Sequence, residues 1–123
     1  MLEAYSANVA VTANSPIPFN NAAVTKGCTA VLSSPTTIDL NKCGVYMVAV
    51  DGSTATSATL QLSKDSVLQP QAQSTGTSPS FVTLVQVDKS NSCCACSSPT
   101  ILRVVSSTGG TFTNVNITVT KVV

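Results

Sequence analysis

The segment NSCCACSS at residues 91–98 contains three of the five cysteines in this sequence. These are Cys93, Cys94 and Cys96, and the other two are Cys28 and Cys43. Cysteines at such spacing serve metal binding, thiol redox chemistry or covalent cross-linking. Each chemistry needs different partners and a different fold, so the remaining residues decide among the three.

Zinc binding is the first alternative. Cys93-x-x-Cys96 has the spacing of a zinc half-site, but a closed site needs four ligands. The sequence has no histidine, and Cys28 and Cys43 do not form a second knuckle. Redox catalysis is less favoured, because a reactive CxxC pair lies at a helix N-terminus that lowers the thiol pKa, and no helix is predicted here.

Disulfide formation is the favoured interpretation. Five cysteines cannot all pair within one chain, so the odd sulfur can bond to a neighbouring subunit. Cys28 and Cys43 bracket a hairpin-like stretch and can meet across it, which would close a loop of about 15 residues and stabilise the fold by about 3 kcal/mol. Free thiols, some of them buried, are the alternative for a protein kept in a reducing cytosol.

The carboxylates do not predict catalysis. No two of them lie close together in the sequence, whereas acid–base catalysis usually needs two groups with opposed pKa shifts. Without histidine, a Ser-His-Asp or Cys-His arrangement is excluded within the chain. Asp51 and Asp88 lie at strand ends, where calcium can bind with backbone carbonyls. We therefore expect no enzyme and no cofactor, with zinc and calcium as open alternatives.

The charge pattern argues against nucleic-acid and membrane partners. The formal net charge is +1, and charged residues make up only 9% of the sequence. The basic residues are scattered, whereas nucleic-acid binding requires clustered positive charge. No stretch approaches the roughly 20 apolar residues of a membrane span. The N-terminus lacks the basic start and apolar run of a signal peptide.

Short apolar segments separated by turn residues predict an all-β fold. Residues 44–52, GVYMVAVDG, are apolar on both faces, which predicts a central strand covered on both sides. Residues 17–19 lie beside prolines and predict an edge strand or a kink. Residues 69–80 have no hydrophobic period and predict a polar loop. The other predicted strands are 8–12, 28–32, 36–40, 57–65, 81–87, 100–106 and 112–122.

This pattern predicts one domain over residues 1–123, a β-sandwich or jelly roll, with residues 1–7 as an N-terminal arm. The core must be built mainly from aliphatic side chains, because the sequence has three phenylalanines, two tyrosines and no tryptophan. A small aliphatic core barely offsets the entropy of ordering the chain. Oligomerisation or cross-linking is therefore expected.

Three segments resemble the bacterial and phage branch of the tumour-necrosis-factor and complement-type (TNF-like) jelly rolls. They are PIPFN (16–20), TTIDLNKCGVYMVAVDGS (36–53) and ATLQLSKDSVLQP (58–70). The final residues, NITVTKVV, resemble the closing strand of that family. Two features depart from it: the hairpin SKDSV stands where relatives often have an Asn-Gly turn, and the cysteine loop replaces a Leu-x-x-Gly-Asp turn.

The resemblance implies a homotrimer that caps a fibre or decorates a phage head. The sequence shows no Gly-X-Y stalk, which favours a phage structural protein over a spore-surface fibre. We expect a capsid decoration or head-fibre protein, assembled in the bacterial cytoplasm and located in the virion, with the major capsid protein as a further partner. The alternative is a trimeric adhesin or lectin-like module on a bacterial cell or spore surface.

Two groups of residues are the candidate contacts. The core or trimer contacts are expected from Tyr46, Val48, Phe81, Phe112 and Ile117. The exposed contacts are expected from the predicted polar loop, at Gln69, Gln71, Gln73, Ser74 and Thr75.

Overall fold

A computed structural model describes residues 1–27, 29–87 and 99–123. Every regular element in these ranges is a β-strand, which confirms the all-β prediction. The strands are β1 (Leu2–Val11), β2 (Ser15–Pro16), β3 (Asn21–Thr25), β4 (Ala30–Ser34), β5 (Thr37–Leu40), β6 (Gly44–Thr54), β7 (Ala58–Lys64), β8 (Val67–Gly76), β9 (Ser80–Val87), β10 (Thr100–Ser106) and β11 (Gly110–Lys121).

The strands form two antiparallel sheets that enclose one hydrophobic core. The first sheet has the order β3-β1-β11-β6-β9, and the second has the order β4-β5-β10-β7-β8 with β2 paired to β10. Alternate residues of each strand point inward, as the period-2 geometry of a strand requires. The largest fully buried side chains are those of Tyr46, Phe19, Phe112, Leu2, Ile17, Ile38, Leu40, Leu60, Leu62, Leu102 and Ile117.

Residues 1–7 are not the predicted N-terminal arm. Residues 2–7 form the first part of β1, which lies inside the first sheet between β3 and β11. Leu2, Ala4 and Ser6 are fully buried. The prediction failed because small and polar inward-facing residues conceal the alternation of this segment.

The segment after β2 is buried without being a strand. Ile17 and Phe19 lie in the core, although residues 17–19 were predicted to form an edge strand or a kink. The Ser6 hydroxyl fixes this segment, because it donates to the Pro18 carbonyl at 2.6 Å and accepts from the Asn20 N–H at 2.8 Å. The two prolines remove backbone donors, but the N–H groups of Ile17 and Phe19 donate to the Val104 and Pro35 carbonyls at 2.7 and 2.6 Å. Backbone and side-chain hydrogen bonds therefore both hold this segment.

Strand β8 replaces the polar loop predicted at residues 69–80, so that prediction is wrong for residues 69–76. The strand lies at the edge of the second sheet, and its register with β7 shifts between Gln61 and Ser63. Residues 69–72 form the resulting bulge, which contains Pro70, a residue that sheets accept at edges and bulges. The bulge interrupts the period-2 pattern, which explains why the sequence resembled a loop.

A two-residue turn joins β7 to β8. Asp65 and Ser66 have φ values of 49° and 69°, as a type I′ hairpin turn requires. The Asp65 N–H donates to the Ile101 carbonyl at 2.8 Å, and the Asp65 Oδ1 accepts from the Ile101 N–H at 2.9 Å. The hairpin is therefore anchored to the neighbouring strand β10.

The hairpin of β4 and β5 ends beside Cys43. Its register places Ala30 opposite Leu40, and the Asn41 N–H donates to the Thr29 carbonyl at 2.9 Å. Cys43 is disulfide-bonded, and its partner lies outside the described residues. Cys28 and the cluster of Cys93, Cys94 and Cys96 also lie outside them.

We predict that Cys43 pairs with Cys28, because the hairpin ladder continues to Thr29, the residue that follows Cys28. Trypsin separates the cysteines into peptides 27–42, 43–64 and 90–103. Mass spectrometry of a non-reduced, alkylated digest should find 27–42 linked to 43–64. A link between 43–64 and 90–103 would contradict this pairing.

Two glycines with left-handed backbone give a matched stability test. Gly109 has φ +68°, and a Cβ there would approach the Ala13 nitrogen to 2.6 Å and the Val11 oxygen to 2.7 Å. Gly27 has φ +74° and nothing within 4 Å of a Cβ. Left-handed backbone costs a non-glycine residue about 1–2 kcal/mol, so Gly27→Ala should lower the free energy of unfolding by about that amount.

Gly109→Ala should cost at least about 3 kcal/mol, because the backbone clash adds to the conformational cost. Urea unfolding at one fixed protein concentration measures both changes. Equal losses for the two variants would show that the close approach at Gly109 relaxes without cost.

Candidate functional site

The predicted core or trimer residues lie within the single-chain sandwich. Tyr46, Val48, Phe112 and Ile117 are fully buried, and Phe81 is partly buried against the same core. The Tyr46 hydroxyl donates to the Lys42 carbonyl at 2.7 Å, so the polar end of this large side chain is satisfied. The four fully buried side chains are therefore not available on a surface of the folded chain, whereas Phe81 is partly accessible.

The outer face of the first sheet carries the apolar surface. Strand β6 lies inside this sheet, as predicted, but only one of its faces is buried within the chain. Met47 lies opposite Leu84 of β9, and Ala49 lies opposite Val82. Val82 and Leu84 are 67% and 62% exposed. Single exposed hydrophobic residues are ordinary, but neighbouring ones on one flat face mark an interaction surface.

A polar pair borders this apolar area. Asp51 of β6 lies opposite Asn116 of β11, and the Asn116 Nδ2 donates to the Asp51 Oδ1 at 2.9 Å. Beside the pair is a hollow of about 180 Å³ on the outer surface. Its lining consists of Ala49, Val50, Asp51, Ser80, Phe81, Val82, Asn116 and Thr118. The hollow is therefore lined by both apolar and polar side chains.

The outer face carries acidic side chains and no basic side chain among the described residues, although the Met1 ammonium lies at the start of β1, where it donates to the Lys26 carbonyl at 2.8 Å. Alternation along the strands places Glu3 and Asp51 on it, because their neighbours in sequence are buried. The described basic side chains lie at strand ends or in the second sheet. They are Lys26, Lys42, Lys64, Arg103 and Lys121.

We define the outer face by Glu3, Tyr5, Met47, Ala49, Asp51, Val82, Leu84 and Asn116. The predicted strand at 81–87 contained two of its most exposed residues, Val82 and Leu84. FVTLVQV is apolar on both faces, because Val82 and Leu84 lie on one face and Phe81, Val85 and Val87 on the other. This pattern does not show which of the two faces remains uncovered.

The predicted exposed contacts belong to β8 rather than to a loop. Gln71, Gln73 and Thr75 are exposed, whereas Gln69 and Ser74 are half-buried. The Thr75 Oγ1 and the Thr59 Oγ1 are 2.7 Å apart across the β7–β8 ladder. The edge is thus a regular strand, and not a loop, and it presents amide and hydroxyl groups to solvent.

Among the described residues, no three histidine, cysteine, aspartate or glutamate side chains come close enough together to hold a metal ion. Asp51, one of the two residues considered for calcium, uses one oxygen to bind Asn116. The other, Asp88, lies outside the described residues.

In the part of the chain that the structure describes, no helix is long and apolar enough to cross a membrane.

No protein-family model matches the sequence, and no curated protein matches it significantly. The structure is similar to the globular domain of zebrafish complement 1qA protein, with a TM-score of 0.77 and 9% identity over 99% of this chain and 96% of that chain. It is also similar to murine APRIL at pH 5.0, with a TM-score of 0.62 and 9% identity over 98% of each chain.

Rabbit GITRL gives a TM-score of 0.59 and 12% identity over 100% of this chain and 95% of that chain. Identities this low support a shared fold and nothing finer. The coverage is nevertheless almost complete in both directions, so the similarity extends over the whole sandwich and not over one sheet. The described strands therefore form a jelly roll of the complement and TNF-like type.

Proposed function

We propose that this protein is a homotrimeric structural module whose subunits associate through the outer face of the first sheet. One observation carries the proposal: Val82 and Leu84 of β9 are exposed, and they lie beside Met47 and Ala49 of β6 on the outer face of the first sheet. Covering this face removes apolar area from water and stabilises the assembly by about 25 cal/mol per Å². The trimeric state is the one that the sequence resemblance implies.

The thin core gives an independent reason for association. The buried side chains are mainly valine, leucine, isoleucine and alanine. A domain of this size gains limited stability from such a core. Association buries additional apolar area without lengthening the chain, so it would stabilise both the fold of each subunit and the assembly. The proposed action is mechanical, because the chain has no histidine and no paired carboxylates for catalysis.

We further propose that the trimer is a phage virion component, either a capsid decoration protein or the head of a fibre. The support is the resemblance of residues 16–20, 36–53 and 58–70 to the bacterial and phage branch of this fold. Three copies around one axis can match a local threefold position of an icosahedral shell. The major capsid protein would then be the second partner, and the virion, assembled in the bacterial cytoplasm, would be the location.

A trimeric adhesin or lectin-like module on a bacterial cell or spore surface is the second candidate. One observation favours it: the β7–β8 edge presents Gln71, Gln73 and Thr75 to solvent. Amides and hydroxyls of this kind form hydrogen bonds with sugar hydroxyls. Three such edges around one axis would bind a glycan surface through avidity.

The association is tested by Val82→Asp. A carboxylate at this position should raise the concentration at which trimers half-dissociate by at least about 100-fold, because each interface loses an apolar contact of about 2–3 kcal/mol. Sedimentation equilibrium measures the change. Val31→Asp is the matched control, because Val31 is an exposed valine of the second sheet and its substitution should leave the trimer intact. A trimer unaffected by Val82→Asp would contradict the proposed interface.

The virion location is tested on particles released from the source bacterium after prophage induction and purified on a density gradient. Mass spectrometry should detect the protein in these particles, and purified trimer should co-sediment with expanded capsids. Trimer that binds a glycan array and is found on washed cells, but not in particles, would favour the adhesin candidate instead.

A further inference from the structure

A second hollow lies at the end of the sandwich where β6 connects to β7 and β10 connects to β11. Its volume is about 400 Å³, which falls within the range of small-molecule sites, roughly 300–1,000 Å³. Its lining residues are small or carry hydroxyl groups. They are Thr54, Ala55, Thr56, Ser57, Thr108, Gly109, Gly110 and Thr111. The hollow is therefore large enough for a small organic ligand and offers it mainly hydrogen bonds.

Two threonine hydroxyls join the two walls of this hollow. The Thr54 Oγ1, at the end of β6, lies 3.0 Å from the Thr111 carbonyl oxygen of β11, to which it can donate. The Thr108 Oγ1, in the β10–β11 connection, accepts from the Thr59 N–H of β7 at 3.1 Å. Both bonds link segments that are far apart in the sequence. The walls are therefore held in place before a ligand binds, and a preformed site loses little conformational entropy on binding.

Three other hydroxyl groups of the lining are available to a ligand. The side chains of Thr56, Ser57 and Thr111 form no hydrogen bond with another described residue, and all three residues are exposed. Each hydroxyl can donate one hydrogen bond and accept others. The hollow therefore presents donors and acceptors together, which matches a ligand whose own groups are hydroxyls.

The chemistry of the lining discriminates among ligand classes. None of the described lining residues is charged, whereas phosphate and carboxylate ligands are bound by cationic side chains and metal cations by carboxylate oxygens. Ala55 is the one described lining residue with a purely hydrocarbon side chain. An apolar ligand would bury hydroxyl groups without partners, which is unfavourable. A neutral ligand that carries several hydroxyls is therefore the class that fits.

We propose that this hollow binds a neutral saccharide, whose hydroxyls form hydrogen bonds with Thr56, Ser57 and Thr111. The site goes beyond the proposed structural role, because it belongs to one subunit and needs neither the trimer nor the virion. It also gives the adhesin candidate a binding site other than the exposed β8 edge. Binding of a single sugar is expected in the millimolar range, because these hydrogen bonds replace hydrogen bonds to water.

Titration of the isotope-labelled full chain with neutral sugars tests the site. The probes are glucose, galactose, mannose, N-acetylglucosamine and lactose, each added separately. At least one of them should produce saturable shifts in the NMR signals of the Ser57, Gly110 and Thr111 amides. Shifts confined to Gln71 and Gln73 would overturn this site and place sugar binding at the β8 edge. The absence of a saturable shift with every probe would also overturn it, while the homotrimer proposal would stand.

Thr56→Val and Thr111→Val each remove one hydroxyl and keep the shape of the side chain. Each should weaken the binding of the best sugar by about 3- to 10-fold, because about one hydrogen bond is lost. Thermal unfolding should not change, since neither hydroxyl is bonded to a described residue.

Thr77→Val is the matched control. Thr77 is an exposed threonine of the neighbouring β8–β9 connection, where its carbonyl accepts from the Thr54 N–H at 2.9 Å, and it does not line the hollow. Its substitution should leave sugar binding unchanged. An affinity that both lining variants preserve, or that the control reduces equally, would overturn the site.

Discussion

The pairing of β11 with β1 on one side and β6 on the other is the constraint on which the first sheet depends. These three strands join the beginning, the middle and the end of the described chain, and their registers run through nine residue pairs each. The inward side chains of β11, among them Phe112, Val115 and Ile117, fill the centre of the core. Once these three strands are in register, alternation assigns each side chain either to the core or to the outer face. A one-residue slip would exchange the two sets, so the apolar outer surface and the buried core are specified by the same hydrogen bonds.

Sequence patterns predicted most of the strands, because long alternating segments such as residues 100–106 and 112–122 can bury only one side of a strand. The patterns failed where a segment does not alternate between buried and exposed residues along a strand. Strand β3 has mostly exposed residues and no fully buried one, and the bulge at residues 69–72 interrupts β8. Ile17 and Phe19 are buried without belonging to a strand. The outer face needed a different kind of information: Val82 and Leu84 are recognisable as strand residues, but only the register with Met47 and Ala49 brings these four side chains together on one surface.

The apolar outer face explains why both sides of the segment GVYMVAVDG are apolar. Tyr46, Val48 and Val50 fill the core of one subunit. Met47 and Ala49 face outward, where the chain itself provides no cover. In the proposed trimer the predicted two-sided burial of this strand is achieved by the assembly and not by the single fold. In that trimer, the uncovered face compensates for the small aliphatic core. Part of the apolar surface that stabilises the protein would be buried between subunits.

The anchoring of the hairpin turn to β10 fixes the shape of this edge of the molecule. Asp65 exchanges two hydrogen bonds with the Ile101 backbone, so the tip is held in one orientation before any encounter. Preformed contact surfaces lose little conformational entropy on association and dock nearly as rigid bodies. An asparagine at position 65 could also accept from the Ile101 N–H through its Oδ1, so the anchor depends on a side-chain oxygen at this position and not on its charge. The turn at SKDSV is thus a preformed projection, whose orientation is set by hydrogen bonds within its own chain.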